Sequence, residues 1–150
     1  VHYDDRLLLS ALISKRPVPI EMAENVPNGA AYDYTRRTVV VQRGMDGQDL
    51  FRCVSLAMAR AELDQTEHAD PQSDAFRGYC VSYMLCRKYG VDARGYDFSR
   101  LPESLRDADS QTIRSELTDI RDTLQTMTSR MERALEQSRA AAQKNVRKER

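Results

Sequence analysis

The segment that decides the fold runs from Thr38 to Asp64 and reads TVVVQRGMDGQDLFRCVSLAMARAELD. Three consecutive valines within residues 38–42 favour a strand, because β-branched side chains fit a pleated sheet. Two glycines, at positions 44 and 47, then close that strand. Apolar residues next recur at spacings of three and four, which predicts an amphipathic helix over residues 48–64. A strand leading into a helix with an alanine-rich apolar face indicates an α+β fold with this helix at its centre.

The residues before this segment predict one short helix and two further strands. A leucine-rich stretch after the acidic cap at residues 4–5 favours the helix, and two prolines after it end the helix. Residues 20–22 and 30–34 have strand character, and Asn28-Gly29 between them is a turn signal. With residues 38–42 they predict a small antiparallel sheet of two or three strands.

The residues after the central segment predict a second central helix. Asp70-Pro71 begins it, with Asp at the cap and Pro in the first turn, where a missing N–H costs nothing. Gly90 is the left-handed residue expected at its end. Tyr96, Phe98 and Leu101 are expected to hold the following loop against the body. The sequence therefore predicts a small antiparallel sheet packed on two central helices.

The last third of the chain differs in kind. Pro102 opens a short helical turn and Asp109 caps a helix predicted over residues 110–140, roughly 45 Å long at 1.5 Å per residue. An apolar seam follows heptad spacing along this helix. Such a helix either packs back along its own domain or pairs with a protein partner or a second copy. The seam favours pairing, through Ile113, Leu117, Ile120, Leu124, Met127 and Met131.

Composition excludes several classes of protein. The 150 residues include 23 Lys or Arg and 23 Asp or Glu, and the net charge of zero argues against a dedicated nucleic-acid binder. Charged residues make up 31% of the chain, and no apolar run approaches the length of a membrane span. The net charge of zero hides an uneven distribution of charge along the chain. Residues 101–138 carry five Arg and eight acidic residues, whereas residues 139–150 carry five Lys or Arg and one Glu. We expect residues 1–100 to form one domain and residues 101–150 a long helix with a basic tail, excised from a longer protein.

Little in the sequence points to catalysis. The three cysteines fit no disulfide framework or C-x-x-C site, which favours reduced thiols and a cytoplasmic location. The two histidines are His2, at the start of the chain, and His68, in an acidic loop, where a solvated side chain is the simpler interpretation than a metal ligand. Phosphate-binding and dinucleotide-binding motifs are also missing from the sequence. We expect no enzymatic activity and no cofactor.

One pattern is compatible with contact to single-stranded nucleic acid. Tyr32 and Tyr34 alternate on a predicted strand, and Arg36 and Arg37 follow directly. Tyrosine rings can stack on bases while arginines hold the phosphates. The competing interpretation is that the tyrosines pack within the sheet and the arginines are solvated in a turn.

The order of elements and three motifs resemble those of zincin-like metallopeptidase domains, of the ImmA/IrrE and ArdC-like type found in multidomain proteins of mobile elements. The motifs are SLAMARAE from Ser55, YCVSY from Tyr79 and YGVD from Tyr89. The resemblance covers about residues 17–100. In that family the first of these helices carries HExxH and the second supplies an acidic third zinc ligand.

The resemblance implies that the catalytic groups are lost. It places Leu56, Ala57 and Arg60 where the family has His, Glu and His, and Tyr79 near the third ligand. Zinc hydrolysis needs such ligands and a carboxylate base, and a guanidinium would repel the cation. The resemblance implies a degenerate cleft lined by Arg60, Tyr79 and Tyr83, which holds an anion, a peptide carboxylate or no ligand at all.

We therefore expect a non-enzymatic, metallopeptidase-like module that acts as a scaffold or recognition domain in a larger protein. The alternatives are a domain that contacts single-stranded nucleic acid and a helix-mediated oligomerisation module.

Overall fold

The computed structural model describes residues 3–148, and it confirms an α+β fold. Positions 1, 2, 149 and 150 lie outside the described residues, so the expectations placed on His2 and on the end of the basic tail are not addressed. In chain order the elements are α1 (Asp5–Ile13), β1 (Ile20–Ala23), a 3₁₀ turn (Pro27–Gly29), β2 (Ala30–Asp33), β3 (Thr38–Gln42), α2 (Gly47–Asp64), α3 (Pro71–Tyr89), α4 (Glu103–Arg106) and α5 (Ser110–Lys148).

The three strands form a mixed sheet in the order β1-β3-β2, whereas the sequence predicts an antiparallel one. β2 pairs with β3 antiparallel, as expected, but β1 pairs with β3 parallel. The difference arises at Asn28-Gly29, which lies in the 3₁₀ turn and does not join two paired strands. The chain crosses the sheet there, and the Val26 N–H donates to the Gln42 side chain. β1 therefore reaches the far edge of β3 and runs in the same direction.

Helix α2 is the centre of the molecule and contacts α1, α3, α5 and the sheet. Its alanines at positions 57, 59 and 61 are buried, and so is Phe51 near its start. Small side chains permit this close approach from several sides, because protein interiors are packed as densely as organic crystals. The alanine-rich face therefore places α2 in the core, as the sequence predicts.

The helix ends follow the predicted caps. The Asp4 carboxylate accepts from the Arg6 N–H at 3.1 Å, and the Asp70 carboxylate accepts from the Gln72 N–H. Asp109 accepts from the Thr112 N–H at 2.8 Å at the start of α5. Gly90, at the end of α3, has the left-handed conformation with φ of 73°. Each cap satisfies backbone groups that the first or last turn would leave unpaired.

Helix α5 packs back on its own chain, so the sequence was wrong to favour pairing over the alternative for the buried part of the seam. Met127 and Met131 are each 1% exposed and Ile120 is 5% exposed, and α5 contacts α1, α2 and α3. Two residues of the predicted seam remain open: Ile113 is 41% exposed and Leu117 is 60% exposed. The heptad pattern arises because one face of a long helix is covered by the body. The helix also continues to Lys148, beyond the predicted residue 140.

Polar side-chain pairs join α5 to the body between Glu116 and Glu132. The Arg130 guanidinium lies 2.7 Å from the Glu62 carboxylate, with both side chains largely buried. The Tyr89 hydroxyl donates to the Glu132 carboxylate at 2.8 Å. Further toward the start of α5, Arg77 binds Glu116 with 2.8 Å between Nε and Oε2. These pairs fix the position of α5 against α2 and α3.

None of the helices within residues 3–148 combines the length and the apolar character that a membrane span requires.

Candidate functional site

A cavity of about 240 Å³ opens between α2, α3 and the loop that follows α3. Leu56 lines it from α2, and Tyr79 lines it from α3. The chain therefore brings together two of the residues that the resemblance places at former ligand positions. The full lining consists of Asn28, Arg52, Cys53, Leu56, Tyr79, Gly95 and Tyr96.

The α2 wall of the cavity follows from helical spacing. Arg52 and Cys53 precede Leu56 by four and three residues, so the three side chains share one side of the helix. Arg52 donates to the Asp92 carbonyl at 2.8 Å and pairs with Asp49 one turn earlier. This arrangement ties the loop after α3 to α2 and sets one edge of the cavity.

The opposite wall is aromatic. The Tyr79 and Tyr96 ring centroids are 5.0 Å apart, and Phe98 lies 5.2 Å from Tyr79. Tyr83 extends the cluster, with its centroid 5.5 Å from Tyr96 and 5.0 Å from Phe98. The rings are tilted or edge-on to one another, the arrangements that aromatic pairs prefer. Tyr96 and Phe98 hold the loop against α3, as the sequence predicts, whereas Leu101 is 51% exposed and does not.

Hydrogen bonds fix the aromatic wall in place. The Tyr79 hydroxyl accepts from the Asp97 N–H at 2.7 Å. The Tyr96 hydroxyl lies 2.6 Å from Ser82 Oγ, and Ser82 lies 2.7 Å from Ser55 Oγ on α2. Both serines are fully buried, so this chain of hydroxyls joins α2, α3 and the loop through the core.

Two titratable groups of the cavity, Tyr96 and Cys53, are held in their protonated forms. Burial raises the pKa of the Tyr96 hydroxyl well above its ordinary value. Burial also raises the pKa of the Cys53 thiol, and the nearby Asp49 carboxylate adds to the effect. The thiolate is the reactive form of cysteine, so Cys53 presents a weakly polar, unreactive surface.

The remaining positions from the resemblance lie elsewhere. Ala57 is buried in the core. The side chain of Arg60 lies against α3, because a Cβ built on Gly78 would be 3.1 Å from Arg60 Cγ. Tyr83 lines a separate open groove, with Arg87, Asp92, Arg94 and Phe98 among its neighbours. Leu56 and Tyr79 are therefore brought together, and Ala57, Arg60 and Tyr83 lie outside the cavity lining.

The Arg60 Nε and the nearby Tyr34 hydroxyl are both buried, and neither has a hydrogen-bond partner among the described residues. Burial raises the pKa of Tyr34, and the Asp74 carboxylate raises it further. The tyrosine is consequently neutral and its ring packs against the core.

The residues considered for nucleic-acid contact occupy different environments. Tyr32 is buried, and its hydroxyl donates to the Asp64 carboxylate at 2.6 Å. Its ring packs 4.6 Å from that of Tyr34, centroid to centroid. Arg36 is exposed and pairs with Glu21, and Arg37 occupies the turn with φ of 50°. The buried ring of Tyr32 has no open face on which a base could stack.

Within residues 3–148, no group of three or more His, Cys, Asp or Glu side chains is arranged to hold a metal ion. His68 is exposed, and its Nδ1 lies 3.5 Å from the Asp119 carboxylate. The cysteines at positions 53, 80 and 86 are free thiols.

Sequence reasoning missed five residues of the cavity lining, which are Asn28, Arg52, Cys53, Gly95 and Tyr96. The spacing from Arg52 to Leu56 is one helical turn, and this signal could have added Arg52 to the candidate face. Asn28 and Gly95 come from a turn and a loop, and only the tertiary fold places them here.

Comparison of the chain with known protein families, with curated proteins and with solved structures found no match.

Proposed function

We propose that this chain is a non-catalytic, metallopeptidase-like recognition module, which binds a short peptide segment of a partner protein in the cavity between α2 and α3. The observation that carries the proposal is that Leu56 and Tyr79 line one cavity. In the resembled family these positions belong to the site where a peptide is held for hydrolysis. We therefore propose that the site still binds a peptide but no longer hydrolyses it.

The chemistry of the lining supports binding of an apolar side chain. Leu56 contributes an alkyl surface, and Tyr79 and Tyr96 contribute aromatic ones. A volume of about 240 Å³ suits one side chain of a peptide better than a larger small-molecule ligand. The Tyr79 hydroxyl accepts from Asp97, so its own proton is available to a carbonyl of the peptide backbone.

Hydrolysis would require a polarising ion and a proton acceptor beside the peptide bond. The groups that line the cavity are instead an amide, a guanidinium, a protonated thiol, an alkyl chain, two phenol rings and a glycine. These groups orient and bury a ligand. The resemblance further suggests that the module is part of a larger mobile-element protein. In that protein the module would select a binding partner.

A peptide library displayed on phage tests the proposal. The library is selected on the wild-type protein, and the enriched peptides are synthesised and measured by calorimetry. We expect peptides with one aliphatic or aromatic anchor, whose affinity falls at least about tenfold for Leu56→Glu, because the introduced carboxylate must be buried on binding.

The matched control is Met22→Glu, which puts the same charge on an exposed apolar residue of β1. It should leave the affinity unchanged. Failure to enrich any peptide, or equal affinity for the wild type and Leu56→Glu, contradicts the proposal.

A further inference from the structure

The outer face of α5 is an open, charged surface that no other element of residues 3–148 covers. Part of this surface, including Ser129 and Arg133, lines a shallow groove along the helix. At helical spacing the same face continues toward the end of α5. We call this set of residues the outer face: Asp122, Gln125, Thr126, Ser129, Arg133, Glu136, Ala140, Gln143, Lys144 and Arg147, all of them exposed.

The body of the molecule lies on the other side of α5. Met127, Met131 and Leu135, which pack into the core, lie roughly 180° around the helix from the outer face, at 3.6 residues per turn. A second helix can therefore approach the outer face without meeting the body.

The end of α5 also lacks support from its own chain. Every residue from 136 to 148 is exposed. A helical segment of 13 residues is marginal in water when nothing packs against it. A contact along the outer face would stabilise this segment.

Charge is distributed unevenly along the outer face. Asp122 lies toward its start, and Lys144 and Arg147 lie toward its end. A parallel copy of α5 would set like charges against each other, whereas an antiparallel copy sets acid against base. Complementarity therefore selects one orientation.

One antiparallel register pairs four of the five charged residues of the outer face, and the fifth, Lys144, lies opposite Gln125. This register places Asp122 opposite Arg147 of the second copy, and Arg133 opposite Glu136. Between these pairs, Ser129 lies opposite Ala140, and two small residues at the contact let the helices approach closely. The two-fold axis repeats each pair, as a symmetric dimer requires.

We propose that two copies of this chain associate through the outer face of α5, with the helices antiparallel and Asp122 of each copy paired with Arg147 of the other. Because exposed ion pairs are individually weak and are screened by salt, the dimer is weak and salt-dependent. The surface is separate from the cavity between α2 and α3, so the dimer leaves the cavity open.

Sedimentation equilibrium of the full chain at low and high salt tests the proposal. We expect twice the monomer mass at low salt and high protein concentration, and the monomer mass at high salt. Asp122→Arg and Arg147→Asp should each weaken association at least about tenfold, because each change removes two pairs and creates two repulsions. The double variant exchanges the two charges and should restore association to within about threefold of the wild type.

The matched control is Arg139→Asp, which makes the same charge change in the same segment but off the outer face. It should leave association within about threefold of the wild type, since surface positions away from a contact have small effects. Circular dichroism verifies that each variant keeps its helix content. A monomer at low salt, equal weakening by Arg139→Asp, or no rescue in the double variant would overturn the proposal.

Discussion

The Arg77 guanidinium lies 3.2 Å from the Asp74 carboxylate, in a place where Asp74 is fully buried and Arg77 is only 8% exposed. Arg77 is also the cation for Glu116 and Asp119 of α5. Burial raises the pKa of Asp74, and the Arg77 charge opposes that rise. One arginine thus neutralises carboxylates from two helices at the junction of α3 and α5.

Removing this arginine should destabilise the protein strongly. Arg77→Leu leaves Asp74 without a cation in the interior, and breaking a buried pair costs about 3–5 kcal/mol of the free energy of unfolding. Denaturation with guanidinium chloride measures the loss. The control, Arg94→Leu, removes an arginine that is 92% exposed and pairs with Asp92, and its effect should be small. Equal stability of Arg77→Leu and the wild type would contradict the assigned role.

The packing of α5 predicts a large loss of stability for truncation at the buried end of its apolar seam and a small loss at the exposed end. Met131→Ala should cost about 2–5 kcal/mol, because it opens a cavity among core residues. Leu117→Ala should cost less than about 0.5 kcal/mol, because Leu117 is largely exposed. Chemical denaturation compares the two variants. Similar losses for both would mean that the seam is buried along its whole length, as in the paired helix that its spacing suggests.

Three glycines form a graded series of backbone and steric constraint. Gly29→Ala combines a φ of +83° with a Cβ only 2.8 Å from Met45 Sδ and 2.9 Å from Cys53 Sγ. Gly44→Ala meets the positive φ alone, and Gly95→Ala meets neither a positive φ nor a close atom.

The free energy of unfolding should therefore fall most for Gly29→Ala, less for Gly44→Ala and least for Gly95→Ala. Strain of this kind costs on the order of 1–3 kcal/mol at Gly29. Thermal unfolding ranks the three variants, and a Gly95→Ala variant less stable than Gly29→Ala would refute the assigned geometry.

The stability of the protein should decrease above about pH 10, because several tyrosines have raised pKa values in the folded state. Burial raises the pKa of Tyr32 and Tyr89 well above 10, and their bonds to Asp64 and Glu132 raise it further. The folded protein then holds protons that the unfolded chain releases, so the free energy of unfolding falls as the pH rises past the unfolded value.

Denaturation between pH 8 and pH 11 measures this loss. The double variant Tyr32→Phe/Tyr89→Phe removes two of the raised groups, so its stability should fall less with pH than that of the wild type. An identical pH dependence in the two proteins would contradict the assignment.

Local signals in the sequence predict the helices, strands and caps well, but they do not predict the strand pairing or the packing of the helices. Asp70, Gly90 and Asp109 were identified as caps because a cap depends on a few neighbouring residues. Asn28-Gly29 was correctly identified as a turn, but a turn signal does not say which strands it joins. The parallel pairing of β1 with β3 depends on the path of the chain across the sheet.

The same limit applies to α5 and to the cavity. The spacing from Ile113 to Met131 shows that one face is apolar, but the body covers only its later part. Leu56 and Tyr79 line one cavity because α2 packs on α3. Helix periodicity placed each residue on its own helix but does not say how the two helices pack. Asn28 joins them from a turn 28 residues before Leu56 in the sequence, a distance over which a single sequence carries no signal.

The proposed peptide site is the cavity that Leu56 and Tyr79 line. Titration of the isotopically labelled protein with a peptide enriched by selection locates the bound peptide through the backbone amide resonances. We expect the largest shift changes at Arg52 to Leu56, at Tyr79 and at Gly95 to Asp97, with little change along the outer face of α5. Shifts that concentrate on α5 or on β1, with the cavity residues unchanged, would contradict the account.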